Sequence, residues 1–316
     1  MGAGRFIAAG IVAGVATAFA RRKLDEKVAE GGLGGPSTWT RTNHRGEPIS
    51  LLEGPAVTAG LVAGAAVGGG NAPGATAFAT AAAGAFGLVD DLAEDTSVRT
   101  KGLKGHLGAL KEGRLTTGGL KVLGISGSAL LAAAVGTRRT GGAFGHLVDV
   151  GLNGALIGGT ANLINLFDLR PGRALKAGAV ASLPFMLGGA GATGAVLGAA
   201  AAAAPGDLGE KDMLGDGGAN ALGALVGSQI AFGAPRAVRW AALAGVVGLM
   251  LASEKVSFSK VIAGNEWLNK VDMLGRRPAE HVETRDEVST SSTSEAGSTS
   301  GVRSTSVSDP MAFPGA

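Results

Sequence analysis

The feature that most constrains this chain is a succession of long stretches nearly free of charge, built mainly from Ala, Gly, Val and Leu. A helix crossing the hydrocarbon of a bilayer needs about 17 to 25 mostly apolar residues, and lipid offers its backbone no hydrogen-bond partners. Nine candidate windows reach or approach that length, at 4–20, 55–71, 73–89, 119–136, 146–165, 174–190, the shorter 191–205, 217–233 and 237–253. Charged residues make up 17% of the chain, against about 25% in an ordinary water-soluble domain. The 56 glycines follow no Gly-X-Y period, which excludes a collagen-like chain. They suit helices that approach closely inside a membrane. With no Cys and four His, disulfides, zinc ribbons, thiol nucleophiles and a His-rich metal cage are all excluded.

The net charge of +3 reflects membrane topology and not nucleic-acid binding, because Lys and Arg concentrate in cytoplasmic loops of membrane proteins. The first window lacks an A-x-A-like cleavage site and is followed by Arg21, Arg22 and Lys23, so it reads as a first span with its N-terminus outside. Alternation then places Lys27, Arg41 and Arg45 inside, with Arg99, Lys101, Lys104, Lys111, Arg114 and Lys121, and later Arg170, Arg173, Lys176 and Lys211. Outside lie Arg5, Arg138, Arg139, Arg236 and Arg239. The expected protein is therefore all-α and polytopic, with about nine transmembrane helices, N-out and C-in, over residues 1–277. Residues 278–316 are rich in Ser and Thr without apolar periodicity and are expected to form a disordered cytoplasmic tail.

On this topology Asp90, Asp91, Asp168 and Asp216 all fall at the cytoplasmic ends of spans. Each alone reads equally well as a solvated helix end, since a carboxylate at mid-bilayer costs about 2.5 to 3.5 kcal/mol. Together they mark one depth on one face. Mg²⁺ takes one or two carboxylates with waters and phosphate oxygens, so an acidic face rich in Lys suits a diphosphate substrate. Asn162, Asn165 and Asp168 are spaced by three and share a helix stripe. The two Asn serve either a bound ligand or the packing of neighbouring helices. No Walker-type lysine pattern is present, and matches to Gly-rich fingerprints carry no weight at this Gly content.

Four blocks, in order, resemble the polyprenyl-phosphate N-acetylhexosamine-1-phosphate transferases, the superfamily that includes phospho-N-acetylmuramoyl-pentapeptide transferase. They are Asn43-His-Arg-Gly-Glu-Pro48, Asp90-Asp91 with Lys101-Gly-Leu103, Asn162 to Asp168, and Leu214-Gly-Asp216 through Gly223. The resemblance implies transfer of a sugar-1-phosphate from a UDP-sugar to a polyprenyl (undecaprenyl) phosphate in the bacterial plasma membrane, with release of UMP. It further implies Mg²⁺ (or Mn²⁺) at Asp216, catalytic roles for Asp90, Asp91 and Asp168, and substrate contacts from Asn43, Lys101, Lys104, Asn162 and Asn165. The implied partners are the lipid phosphate, the nucleotide-sugar and the bilayer, with no nucleic acid; a homodimer is allowed.

The chain also departs from that pattern. Where the family has a second acid after Asp168 this chain has Pro171, where it has Ser there is Ala219, and no His precedes His281 after the ninth window. A tenth span is missing. Arg170 and Arg173 offer alternative phosphate contacts or serve as interfacial anchors. The rival expectations are a non-catalytic lipid-phosphate-binding scaffold and, more remotely, a transporter, against which the acids gathered at one surface count.

Overall fold

A computed structural model describes residues 2–68, 70–93 and 116–278. Lys101, Lys104 and the tail from 279 onward lie outside the described residues. The described part is mostly helical. The chain runs through α1 (Gly2–Ala29), α2 (Pro36–Trp39), a hairpin of β1 (Thr40–Thr42) and β2 (Pro48–Ser50), α3 (Glu53–Gly68), α4 (Pro73–Ala93), α5 (Thr117–Gly136) and α6 (Ala143–Phe167). There follow α7 (Arg173–Ser182), a 3-10 turn (Leu183–Phe185), α8 (Met186–Leu208), α9 (Gly215–Gly233), α10 (Arg236–Ser253), α11 (Phe258–Gly264) and α12 (Glu266–Met273).

Four of these helices, α1, α5, α6 and α10, are long and apolar enough to cross a membrane. The windows at 174–190 and 191–205 are divided differently from the sequence expectation. α7 has ten residues, about 15 Å of helix, which is too short to span. Its end is set by Pro184, which has no N–H to continue the ladder; Gly189, whose φ is −144° and ψ 44°, kinks the next helix near its start. Beyond the kink that helix is Ala-rich and runs to Leu208, with Pro205 in its last turn.

Contacts between helix ends fix the direction of the chain. Arg21 of α1 meets Asp212, and Asp91 of α4 meets the start of α9. At the opposite end Asn71 bonds the Phe232 carbonyl, and Asp149 of α6 pairs with Arg236 at the start of α10. All of Asp91, Asp168 and Asp216 thus lie at one end of the bundle.

The centre is α9, in which sixteen of nineteen residues are buried; α10, by contrast, buries Val246 alone. Small residues make this possible, because association in lipid depends on close contact and not on expelling water. A Cβ added to Gly10 would meet the Gly194 carbonyl oxygen at 3.2 Å, and one on Gly14 the Gly198 oxygen at 3.1 Å. The two Gly-x-x-x-Gly ridges of α1 and α8 therefore pack backbone to backbone. Over the acidic end the β-hairpin, paired Thr40–Ser50 to Thr42–Pro48, docks on residues 211–213 through Ser50.

Candidate functional site

The chemistry collects at the first turn of α9, whose opening N–H groups have no partner inside the helix. Two carboxylates from elsewhere take them. Asp91, in the last turn of α4, accepts from the Asp216 N–H at 3.0 Å and the Gly217 N–H at 2.9 Å. Asp168, which ends α6, accepts from the Gly215 N–H. Gly215 has a φ of +61°, a left-handed conformation natural to Gly, and a Cβ there would stand 2.9 Å from the Asp91 carboxylate. Gly87 lets α4 press onto the backbone of Asp216 and Gly217. Negative charge at this helix end is favoured by the macrodipole, so Asp91 and Asp168 cap α9 from other elements.

The Asp216 side chain has different company. It forms an ion pair with Lys121 of α5, whose ammonium also lies 2.6 Å from the Asp90 carboxylate. The Asp90 and Asp216 carboxyl groups are close enough to share a proton. The three side chains keep 14% to 28% of their surface exposed, so they form the open edge of the site.

Behind this edge lie acids that the sequence did not single out. Glu53, at the start of α3, is 2% exposed, and neither carboxylate oxygen has a hydrogen-bond partner. Burial, then repulsion from Asp207, Asp212 and Asp168, pushes its carboxyl well above the ordinary range. Burial raises Asp207 to about 6 despite a bond from the Gly172 N–H, with Asp212 adding repulsion. Burial and then Asp216 raise Asp91 to about 7. Asp168 is raised by burial and by Asp207, Asp216 and Asp91. Asp212 is paired with Arg21 at 2.5 Å.

A folded-state pKa above the unfolded one means that the native protein holds protons the unfolded chain has released. Stability must then fall as pH rises through the interval between the two values. For Asp207 and Asp91 that interval runs from 3.8 up to about 6 and about 7. Glu47, held at about 2 by Arg277, acts in the opposite sense but below its ordinary value of 4.5. The thermal midpoint of the purified protein is therefore expected to decline between about pH 4 and about pH 7, and Glu53→Gln, which fixes the neutral form, should make that decline shallower. A midpoint that rises over the same range would contradict the charge distribution.

Among the described residues no group of three or more His, Asp or Glu is arranged to hold a metal ion. The donor set that fits a divalent cation is the pair Asp90 and Asp216, two hard oxygen donors at an exposed edge, as Mg²⁺ bound chiefly by waters and phosphate requires. Lys121 lies between them and supplies positive charge at that point.

The other residues expected from sequence are dispersed. Asn162 and Asn165 lie on α6 above Asp168, half-buried. Asn43 organises the hairpin turn: its side-chain oxygen accepts the Arg45 and Glu47 N–H groups, and its amide donates to Glu47. Arg170 is exposed. Arg173 is buried and gripped by Asp272 at 2.7 and 2.9 Å, with Ser259 at 2.8 Å; it serves the packing of α7 on α12. The sequence signal for Lys121 was its place as the third residue of an apolar window, where a lysine either snorkels to the interface or pairs with an acid.

Asp91 and Asp216 separate by experiment. An Asn at 91 would present amide hydrogens toward N–H donors, leaving a buried donor unsatisfied at a cost of about 1 to 3 kcal/mol. Asp91→Asn is therefore expected to lower the thermal midpoint clearly, as measured by thermal shift in detergent. An unchanged midpoint would show that the α9 N-terminus finds its partners elsewhere.

Comparison of the chain with known protein families, with curated proteins and with solved structures finds no match. The fold and site define a mostly helical protein, four of whose helices are long and apolar enough to cross a membrane, with an acidic, lysine-bearing cluster at one end of its bundle.

Proposed function

We propose that this protein is a phosphoglycosyl transferase of the bacterial plasma membrane. It transfers a sugar-1-phosphate from a UDP-sugar to a polyprenyl phosphate, yielding a lipid-diphosphate-sugar and UMP for envelope glycan synthesis. One observation carries this reading: Asp90, Asp91, Asp168 and Asp216, from three well-separated stretches of sequence, meet with Lys121 around one helix N-terminus. In the reaction a lipid phosphate oxygen attacks the sugar-bearing phosphorus, a new P–O bond forms, and the bond to the UMP phosphate breaks with its electron pair leaving on UMP. Two anions must approach, so positive charge has to be fixed in place beforehand. Lys121 supplies it at the open edge. Asp90 and Asp216 would hold Mg²⁺ (or Mn²⁺), which when bound neutralises phosphate charge. Asp91 and Asp168 keep the α9 backbone and Asp216 in position.

The topology that accompanies this proposal has nine passes, the sixth made by α7, its 3-10 turn and the first residues of α8 up to the Gly189 kink taken together, since α7 alone is too short. The N-terminus is outside and the acidic end cytoplasmic, in accord with the Lys and Arg distribution. A second reading, a scaffold that binds lipid phosphate without chemistry, is favoured by Lys121 filling the space between Asp90 and Asp216 and by the placement of Arg173 away from the cluster. Purified protein with undecaprenyl phosphate, Mg²⁺ and a panel of UDP-sugars tests the two. Release of UMP above a heat-inactivated control is expected with at least one donor. Saturable lipid-phosphate binding with no UMP from any donor would replace the transferase with the scaffold.

A further inference from the structure

α12 is an amphipathic helix whose apolar stripe faces outward. Leu268 and Asp272, one turn apart, form its inner face, and Asp272 is buried, bonded by Arg173 and by Arg276 at 2.9 Å. Lys176 donates to the Val271 and Asp272 carbonyls at 3.2 and 2.6 Å. These bonds fix the rotation of the helix about its axis. The spacing then turns Trp267 and Val271 away from that face, and Leu274, just past the helix end, follows them; they are 69%, 37% and 70% exposed. Nothing in the packing of α12 requires a Trp and a Leu there.

The position of the helix names its occupant. α10, one of the helices able to cross a membrane, ends at Ser253, five residues before α11 begins. A segment so close to a span end and pinned to the bundle by Arg173 lies at the level of the lipid headgroups. Trp is enriched at that boundary, and a short helix with an apolar face and basic flanks lies in its plane. Between residues 254 and 277 there are five basic residues and three acidic ones. Lys255 and Lys260 form no ion pair among the described residues, and a lysine next to a span end is attracted to anionic headgroups. We propose that the Trp267–Val271–Leu274 stripe docks in the headgroup layer of the membrane the protein spans, and that Lys255 and Lys260 make this contact prefer anionic lipid. This rests on α10 crossing the bilayer and not on any transfer chemistry, so a negative UMP assay leaves it untouched.

The absence of Cys in the chain allows a direct test on the full-length protein. Single cysteines at Leu274 and at Lys270 carry a polarity-sensitive fluorophore, in nanodiscs of phosphatidylcholine alone or mixed with phosphatidylglycerol. The Leu274→Cys label is expected to be quenched by lipid-borne nitroxide and shielded from aqueous iodide, about threefold better in the anionic bilayer, while the Lys270→Cys label stays open to iodide. Lys255→Gln with Lys260→Gln should remove the anionic preference and keep the shielding. Iodide quenching of Leu274→Cys equal to that of Lys270→Cys in both bilayers would overturn the docking. Shielding that appears only at high protein concentration, without nitroxide quenching, would assign the stripe to a second copy and overturn it too. Equal shielding in the two bilayers would overturn the lipid preference.

Discussion

Asp216→Asn is expected to lower UMP release by about a hundredfold or more while leaving the thermal midpoint within a few degrees of the parent protein. The charge of Asp216 stands at the open edge of the site, against Lys121, whereas the backbone of its helix is capped by Asp91 and Asp168. Asn is close in shape, and Lys121 keeps Asp90 as a partner at 2.6 Å. What is lost is a charge that phosphate chemistry needs and that the fold does not. The contrast with Asp91→Asn, where stability should suffer first, is part of the expectation. Near-normal turnover in Asp216→Asn would remove the residue from the chemistry. The two measurements, single-turnover UMP release and thermal shift, read the two roles separately.

The second large effect is expected at Arg173. Its guanidinium and the Asp272 carboxylate are both buried and doubly hydrogen-bonded. Removing one partner leaves the other charge stranded, and a broken buried pair typically costs about 3 to 5 kcal/mol. Arg173→Ala should therefore lower the thermal midpoint more than any substitution at the acidic edge. Arg173→Met combined with Asp272→Leu should recover most of the loss, because an apolar pair of similar volume removes both charges at once. If Arg173 instead bound a donor phosphate, Arg173→Ala would raise KM for the nucleotide-sugar and leave stability alone.

The helical character of the chain was legible because apolar windows of bilayer length admit few other structures. The window at 73–89 lies within Pro73–Ala93, and that at 146–165 within Ala143–Phe167. Between 174 and 205 the scan placed a boundary beside Gly189, where the helix does kink, but it missed the end of α7 at Ser182 and the 3-10 turn at Pro184, to which a count of charges is blind. At the site, Asp90, Asp91, Asp168 and Asp216 could be found because each ends or begins a window. Glu53 could not, since an acid in the first turn of a helix is an ordinary cap; only the packing of α3 against α9 makes it a buried group without a partner. Arg173 was misleading for a related reason. Its partner Asp272 is 99 residues away, and no local pattern connects them.

The buried position of α9 has a consequence for how the protein is made. The helix at the centre of the bundle is not among those apolar enough to cross a membrane, and it carries Asn220, Ser228 and Gln229 along its length. Presented alone to lipid, such a segment gains too little from burial to offset its polar groups. In the proposed topology α9 therefore enters against helices already in place. Its Gly217, Gly218, Gly223 and Gly227 fit backbone surfaces of α3, α4 and α6 that exist only once those helices have been synthesised and gathered. The order of the chain, with every one of those partners preceding α9, meets that requirement: the membrane protein's own earlier helices serve as the solvent for its central one.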